Sequence, residues 1–261
     1  MTNLAILLIA LFGLYAAPLA QSGPISVGQT DISNEYPETV TFEVEAESSA
    51  GMIDSVEFNL AVRGAASVSM EPAEFEPSQK VVARFVWKTL RDSIPPGAPI
   101  KYSWTVRDDA GNKATTEPVD YTVVDSRFEW QTLESDDIAL WWYAGDAEFG
   151  QGIFDAAVRA LADMEENTGQ SAPDRIHVVL YGNDEDFDSW HSYARVWVGG
   201  EAFSAMGLTV QIVPPGSFQR IERWINQVIP HEIAHLFFHQ ITDTPFAAGA
   251  PTWLNEGFAQ Y

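Results

Sequence analysis

The sequence predicts a multidomain protein in which an all-β sandwich is followed by an α+β domain, and three observations lead to this prediction. Between residues 23 and 125, apolar and polar residues alternate with a period of two, and turn-forming residues recur. From residue 126 onward, helical spacing and short apolar strands replace that alternation. The chain has 261 residues and a hydrophobic fraction of 46%, which is enough for two cores.

An apolar segment from Leu4 to Ala20 precedes the β region. Its length lies between that of a signal-peptide core and that of a membrane span. We therefore expect residues 1–22 to be a signal peptide or a membrane anchor, and the protein to be extracytoplasmic, either secreted or anchored through residues 4–20. No Lys or Arg precedes the segment, and cleavage after Ala20 would place Pro18 where a small residue is expected. Whether the segment is cleaved stays open.

The region of residues 23–125 contains four runs of alternating apolar and polar residues, at 40–46, 56–62, 100–106 and 119–123. A period of two places one row of side chains in a core and the other in water. Turn-forming residues separate the runs, as in Pro95-Pro96-Gly97. Regular strands and turns over about 100 residues are typical of a β-sandwich. The pattern resembles the immunoglobulin-like or fibronectin-type modules attached to many exported enzymes.

The region of residues 126–261 is predicted to be an α+β domain. Its expected elements are a hairpin over 127–143, a helix from about Ala147 to Gly169, a strand at 176–180, a short helix at 184–191, a strand at 206–213 and a long helix capped by Ser217. The strand at 206–213 is also a candidate edge strand, where the backbone could pair with an extended peptide.

The composition excludes several kinds of site. The chain has no Cys, which excludes disulfides, thiolate metal ligands and a cysteine nucleophile. Its net charge is -23, with 37 acidic residues against 14 basic ones, so the surface repels phosphate backbones. We therefore expect no nucleic-acid partner. Any metal must be bound by carboxylates and by some of the 5 His.

Residues 231–235 read HEIAH, which is a metal-binding pattern. Positions i and i+4 lie on one face of a helix, so His231 and His235 can present imidazole nitrogens to a single ion. Glu232 is turned slightly from that face and can reach a metal-bound water. Zinc lowers the pKa of such a water to about 7, and a nearby carboxylate can then act as its general base.

A catalytic zinc site usually has three protein ligands, so a third is needed. His239 is too distant, because eight residues of helix separate it from His231 by about 12 Å. A third histidine at the metzincin spacing would fall at Ile241 and is absent. Glu256 remains; it lies in the segment TWLNEGFAQY, which reads as a second short helix that can return its carboxylate to the metal. Asn255 could support the metal ligands or cap this helix.

The arrangement HEIAH, then 20 residues, then Glu256 within WLNEGFA resembles the gluzincins, and in particular their peptidase-MA-like group. The resemblance covers residues 126–261 as a domain. It implies a zinc metallopeptidase acting on a peptide or protein substrate, with Zn²⁺ bound by His231, His235 and Glu256 and with Glu232 as general base. The glycine-rich strand of the zinc aminopeptidases is absent, so the sequence does not support aminopeptidase specificity.

The sequence leaves three functions open. The first is a zinc peptidase. The second is an exported binding module whose peptidase-like half is catalytically inactive. The third is a zinc amidohydrolase with another class of substrate. Zinc peptidases usually supply an oxyanion-stabilising residue from beyond the glutamate ligand, so we expect the chain, which ends five residues after Glu256, to be truncated at its C-terminus. The oligomeric state is not indicated.

The remaining histidines are expected to lie outside the metal site. His177 falls in an apolar strand and is predicted to be a core residue, and His239 to lie on a helix face. His191 is predicted to lie in a loop, where it could contact substrate.

Overall fold

A computed structural model of the chain describes residues 20–192, 199–216, 222–242 and 251–260. The predicted signal or anchor segment, apart from its last residues, and the predicted cap Ser217 lie outside these ranges. Within them, no helix is both long and apolar enough to cross a membrane. The described chain forms two units, one of residues 20–127 with 190–192, and one that begins at Phe128.

The first unit consists of two antiparallel sheets. Its strands are β1 (Ala20–Ser22), β2 (Ile25–Glu35), β3 (Thr39–Ser48), β4 (Ile53–Val62), β5 (Ser69–Pro72), β6 (Lys80–Trp87), β7 (Pro99–Asp108), β8 (Lys113–Thr115) and β9 (Val119–Thr122). One sheet has the order β1-β2-β3-β6; the other has the order β5-β4-β7-β8, and β9 also pairs with β7. The prediction that this region is β-structured is confirmed, while its immunoglobulin-like character stays a prediction.

Aromatic side chains connect the two sheets of the first unit. The ring centroid of Phe42 in β3 lies 4.7 Å from that of Phe58 in β4, and Phe58 stacks on Phe85 of β6 at 4.6 Å. Phe42 and Phe58 are almost fully buried, as is Trp104 of β7. Because alternate residues of a strand point to the same face, the apolar rows predicted from the alternation form this core.

The second unit has a five-stranded sheet packed against helices. Its elements are β10 (Gln131–Glu134), β11 (Ile138–Trp142), α1 (Ala147–Thr168), β12 (Ile176–Tyr181), α2 (Asp184–Asp188), β13 (Gly200–Phe203), a 3₁₀ turn (Ser204–Met206), β14 (Leu208–Ile212), a π-helical turn (Trp224–Val228), α3 (Ile229–Thr242) and α4 (Thr252–Gln260). The strand order is β10-β11-β12-β14-β13. Strands β11, β12 and β14 are parallel, and the two outer strands are antiparallel to their neighbours.

The interpretation of residues 206–213 as an edge strand is wrong. Strand β14 covers only Leu208–Ile212 and lies inside the sheet, between β12 and β13. The edge is formed by β13, whose sequence Gly-Glu-Ala-Phe has neither the β-branched residues nor the alternation that predict a strand.

Helices α1 and α3 pack on the same face of this sheet and share its core. That core includes Ile138, Leu140 and Trp142 of β11, Ile176, Val178 and Leu180 of β12, Ile153, Ala157 and Leu161 of α1, and Ile233, Leu236 and Phe237 of α3. Asp146 caps α1, since its carboxylate accepts a hydrogen bond from the backbone N–H of Phe149 at 2.9 Å. The predicted end of this helix at Gly169 is confirmed.

Gly150 of α1 lies directly against the indole ring of Trp142, and a Cβ atom at this position would overlap with the ring. Alanine usually stabilises a helix by up to about 1 kcal/mol relative to glycine, but overpacking a core costs about 1–3 kcal/mol. We therefore expect Gly150→Ala to lower the free energy of unfolding by about 1–2 kcal/mol in urea denaturation. Gly152→Ala is the matched control, because its Cβ would meet Ile225 at an ordinary 3.5 Å. Equal effects of the two substitutions would contradict this packing argument.

Candidate metal centre

Helix α3 presents two imidazoles on one face. The Nε2 atoms of His231 and His235 lie 3.1 Å apart, and the two rings are nearly perpendicular, at 83°. Pro230 lies in the first turn of α3 and has no backbone N–H to donate. Pro230 therefore donates no backbone hydrogen bond to the preceding turn, and the residues of that turn, Trp224–Val228, are π-helical.

Helix α4 brings the carboxylate of Glu256 to the same two imidazoles. Its oxygens lie 3.7 Å from Nε2 of His231 and 3.7 Å from Nε2 of His235. Phe258 of α4 packs against Phe238 of α3, with ring centroids 4.9 Å apart, and this contact holds the helices together. The structure thus brings the three residues predicted as metal ligands into one group, with all three ligand atoms within 4.8 Å of one another.

The same helix also contacts the second nitrogen of each imidazole. Nδ1 of His235 lies 3.0 Å from Oδ1 of Asn255, and Nδ1 of His231 lies 3.1 Å from the carbonyl oxygen of Ala259. Both partners are acceptors, so these contacts are hydrogen bonds when Nδ1 carries the proton, the tautomer that leaves each Nε2 with its lone pair. Sequence reasoning anticipated a supporting role for Asn255. It missed Ala259, because a backbone acceptor leaves no signal in the residue type.

This donor set fits a divalent cation. Two Nε2 lone pairs 3.1 Å apart, with carboxylate oxygens beside them, repel one another unless positive charge lies between them. A tetrahedral zinc ion with bonds of about 2.0–2.2 Å separates its ligand atoms by about 3.3–3.6 Å. The two Nε2 atoms, 3.1 Å apart, are slightly closer than that spacing, and each lies 3.7 Å from one Glu256 oxygen, Oε2 for His231 and Oε1 for His235. Imidazole with carboxylate is a donor set that zinc accepts.

Glu232 lies beside this group. Burial raises the pKa of its carboxyl, the nearby His235 and His231 lower it, and Glu256 raises it. Glu232 follows His231 on α3 and interacts electrostatically with all three of the residues that could hold a metal. A cation in the site would favour the ionised carboxylate, which is the form that accepts a proton.

The other histidines do not join this group among the described residues. His177 lies on β12 with its ring 6.4 Å from that of Trp141. His191 lies outside the helices and strands, as predicted, and is buried against Trp190 in the first unit, with ring centroids 3.6 Å apart. His239 lies in the last turn of α3, as predicted.

Asn255→Ala is expected to weaken metal binding by about 10–100-fold, because His235 would lose the partner that orients its ring. Competition with a chromogenic chelator measures this change directly. Gln260→Ala, an exposed position on the same helix, is the matched control and should bind metal like the wild type. An unchanged affinity in Asn255→Ala would show that Asn255 does not support the imidazole.

Comparison with known proteins gives one family match. Residues 156–261 match the family model described as the peptidase MA superfamily. This segment contains α3 and α4 and therefore all four residues of the candidate centre. A search of the curated proteins found no match.

Comparison with solved structures gives only low similarity. A carbohydrate-binding module of the muscle glycogen-targeting subunit of protein phosphatase-1 aligns with 46% of this chain and 98% of its own, at 10% identity and a TM-score of 0.27. A polysaccharide deacetylase from Bacillus cereus aligns over 62% of this chain and 53% of its own, at 11% identity and a TM-score of 0.28. A purple acid phosphatase from yellow lupin seeds aligns over 57% of this chain and 28% of its own, at 9% identity and a TM-score of 0.29. At these TM-scores, the alignments support no conclusion about the fold or the function of this chain.

Proposed function

We propose, from the match of residues 156–261 to the peptidase MA superfamily, that this protein is a zinc metallopeptidase of the gluzincin type. In this proposal His231, His235 and Glu256 bind Zn²⁺, and Glu232 is the general base. The observation that carries the proposal is the convergence of these three donors from α3 and α4, with Glu232 beside them.

A Zn²⁺ ion in this site would supply Lewis acidity to a water molecule and to the scissile carbonyl. The residues of the chain provide the rest. Glu232 accepts a proton from the attacking water and passes it to the leaving amine. Asn255 and the carbonyl of Ala259 keep the two imidazoles oriented with Nε2 toward the centre.

Strand β13 is the proposed binding edge for an extended peptide. Its neighbour β14 donates a hydrogen bond from the N–H of Ile212 to the carbonyl of Gly199 at 2.9 Å. In an antiparallel ladder such pairs recur every second residue, so Glu201 also points its backbone groups toward β14. The backbone groups of Gly200 and Ala202 therefore point to the open edge, the side of β13 on which no other described strand pairs. Helix α3 contacts both β13 and the 3₁₀ turn that follows it, so this edge adjoins the helix that carries the histidines.

We also propose that the protein acts outside the cytoplasm, secreted or anchored through residues 4–20, and that the first unit is an immunoglobulin-like module. The apolar character of residues 4–20 supports the first statement. The pair of antiparallel sheets joined by an aromatic core supports the second.

The test of the proposed function is cleavage of casein by the purified protein, with and without a zinc chelator. We expect cleavage that the chelator abolishes and that added zinc restores. Zinc binding without cleavage of casein or of peptides would favour the inactive binding module. Chelator-sensitive hydrolysis confined to non-peptide amides would favour the amidohydrolase.

A further inference from the structure

Two buried polar residues interrupt the apolar face of the sheet on which the helices pack. Val178 and Leu180 of β12 belong to the core shared with α1 and α3. Their partners in the parallel register are Thr209 and Gln211 of β14. Side chains of paired residues lie on the same face of a sheet, so Thr209 and Gln211 point toward the helices. Both are fully buried, at 0% exposure.

These two side chains form a chain of two hydrogen bonds that ends on the edge strand. Nε2 of Gln211 donates a hydrogen bond to Oγ1 of Thr209 at 2.6 Å. Oγ1 of Thr209 donates in turn to the carbonyl oxygen of Glu201 at 3.2 Å. Glu201 lies in β13, between Gly200 and Ala202, the two residues whose backbone groups point to the open edge. We call the pair Thr209 and Gln211 the brace.

The carboxamide of Gln211 also lies across the backbone of the edge strand. Gly200 is its partner in the register, and a Cβ atom on Gly200 would overlap with the carboxamide. The Oε1 atom of Gln211 is buried and has no hydrogen-bond partner in the described part of the chain. A buried acceptor without a partner costs stability, which an aliphatic residue at this position would avoid. Stability alone therefore does not account for this glutamine.

We infer that Thr209 and Gln211 are positioning residues that hold β13 extended for pairing with a peptide substrate, an inference that rests on the proposed function. Strand β13 has four residues, none fully buried, and β14 is the only strand that pairs with it in the described ranges. Short edge strands open locally at low cost, and a binding edge that must first be ordered loses affinity. The brace reduces that loss. It acts on substrate binding and leaves the chemical step unchanged.

The experiment compares Thr209→Val with the wild type on two substrates, a long casein-derived peptide and a blocked dipeptide amide that is too short to pair along β13. We expect KM for the long peptide to rise about tenfold with kcat within about twofold, and both constants for the dipeptide amide to stay unchanged. Thr209→Ser keeps the hydroxyl and should restore the wild-type KM. Thr105→Val, at a buried threonine that accepts a hydrogen bond from Asn59 in the first unit, should change neither constant.

Hydrogen exchange provides a readout that does not depend on activity. In Thr209→Val the amide of Glu201 should exchange about tenfold faster, while the amides of β12 exchange at the wild-type rate. Unchanged exchange, or equal losses on both substrates, would overturn the inference. A zinc-loaded wild type that cleaves neither substrate would instead overturn the proposed function, and the role of the brace in substrate binding with it. The exchange rates would then still decide whether the brace orders β13.

Discussion

Replacing Glu232 by Gln is expected to lower kcat for peptide hydrolysis by about 10²–10⁴-fold, the usual contribution of a general base. The carboxamide of Gln has the shape of the carboxylate but cannot take a proton from water. Glu232 is not one of the three grouped ligand atoms, so the variant should still bind about one zinc ion per chain. KM should change little, because the proton transfer occurs only in the transition state.

Glu166→Gln is a suitable control for this variant, since Glu166 is an exposed carboxylate on α1. It should retain wild-type kcat and zinc content. Full activity in Glu232→Gln would show that another group accepts the proton. Loss of zinc together with activity would show that Glu232 supports the metal and is not only a base.

Replacing Glu256 by Ala is expected to remove the metal from the protein. The carboxylate contributes one of three donors and is the only negative charge among them. Loss of a supporting hydrogen bond lowers metal affinity by about 10–100-fold, and we expect loss of this ligand to lower zinc affinity by more than that. Activity should disappear at zinc concentrations that saturate the wild type. Metal analysis after gel filtration measures the first effect, and casein cleavage measures the second.

The matched control is Glu222→Ala, which removes an exposed carboxylate of the same unit that lies outside the donor group. Its zinc content and activity should equal those of the wild type. Zinc content that is unchanged in Glu256→Ala would show that the third ligand is a different residue. Equal loss of zinc in both variants would indicate an effect of net charge and not of coordination.

Strands and helices with a regular spacing of apolar residues could be predicted from the sequence, because that spacing decides which side chains are buried. The alternation of residues 40–46 and 56–62 identified β3 and β4, because one row of each strand is buried between the sheets. The helical spacing after Ala147 identified α1 for the same reason. The spacing of His231 and His235 predicted their juxtaposition, since a helix fixes the geometry of positions i and i+4.

Strands β2, β6 and β13 were not predicted from the sequence, and for β2 and β13 the structure shows why. Strand β2 contains a register shift between Val27 and Thr30, and this irregularity breaks its alternation. In strand β6 buried and exposed residues alternate, with Val81, Ala83 and Trp87 buried, so this strand could have been predicted from the sequence. Strand β13 depends on pairing with β14 and on the brace, which are tertiary contacts that its own four residues do not encode.

Part of the candidate centre was predictable and part was not. The residue types at 231, 235 and 256 are those that the proposed metal site requires, and they could be recognised in the sequence. The return of Glu256 to the histidines depends on packing between α3 and α4, and the acceptor for His231 is a backbone carbonyl. No property of a side chain encodes that last contact.

Anomalous diffraction at the zinc absorption edge can locate the single zinc ion that α3 and α4 are proposed to bind. Crystals of the zinc-loaded protein should show one strong peak about 2.0–2.2 Å from Nε2 of His231, Nε2 of His235 and a carboxylate oxygen of Glu256. Absence of a peak between these residues, or a peak bound by other residues, would contradict the account.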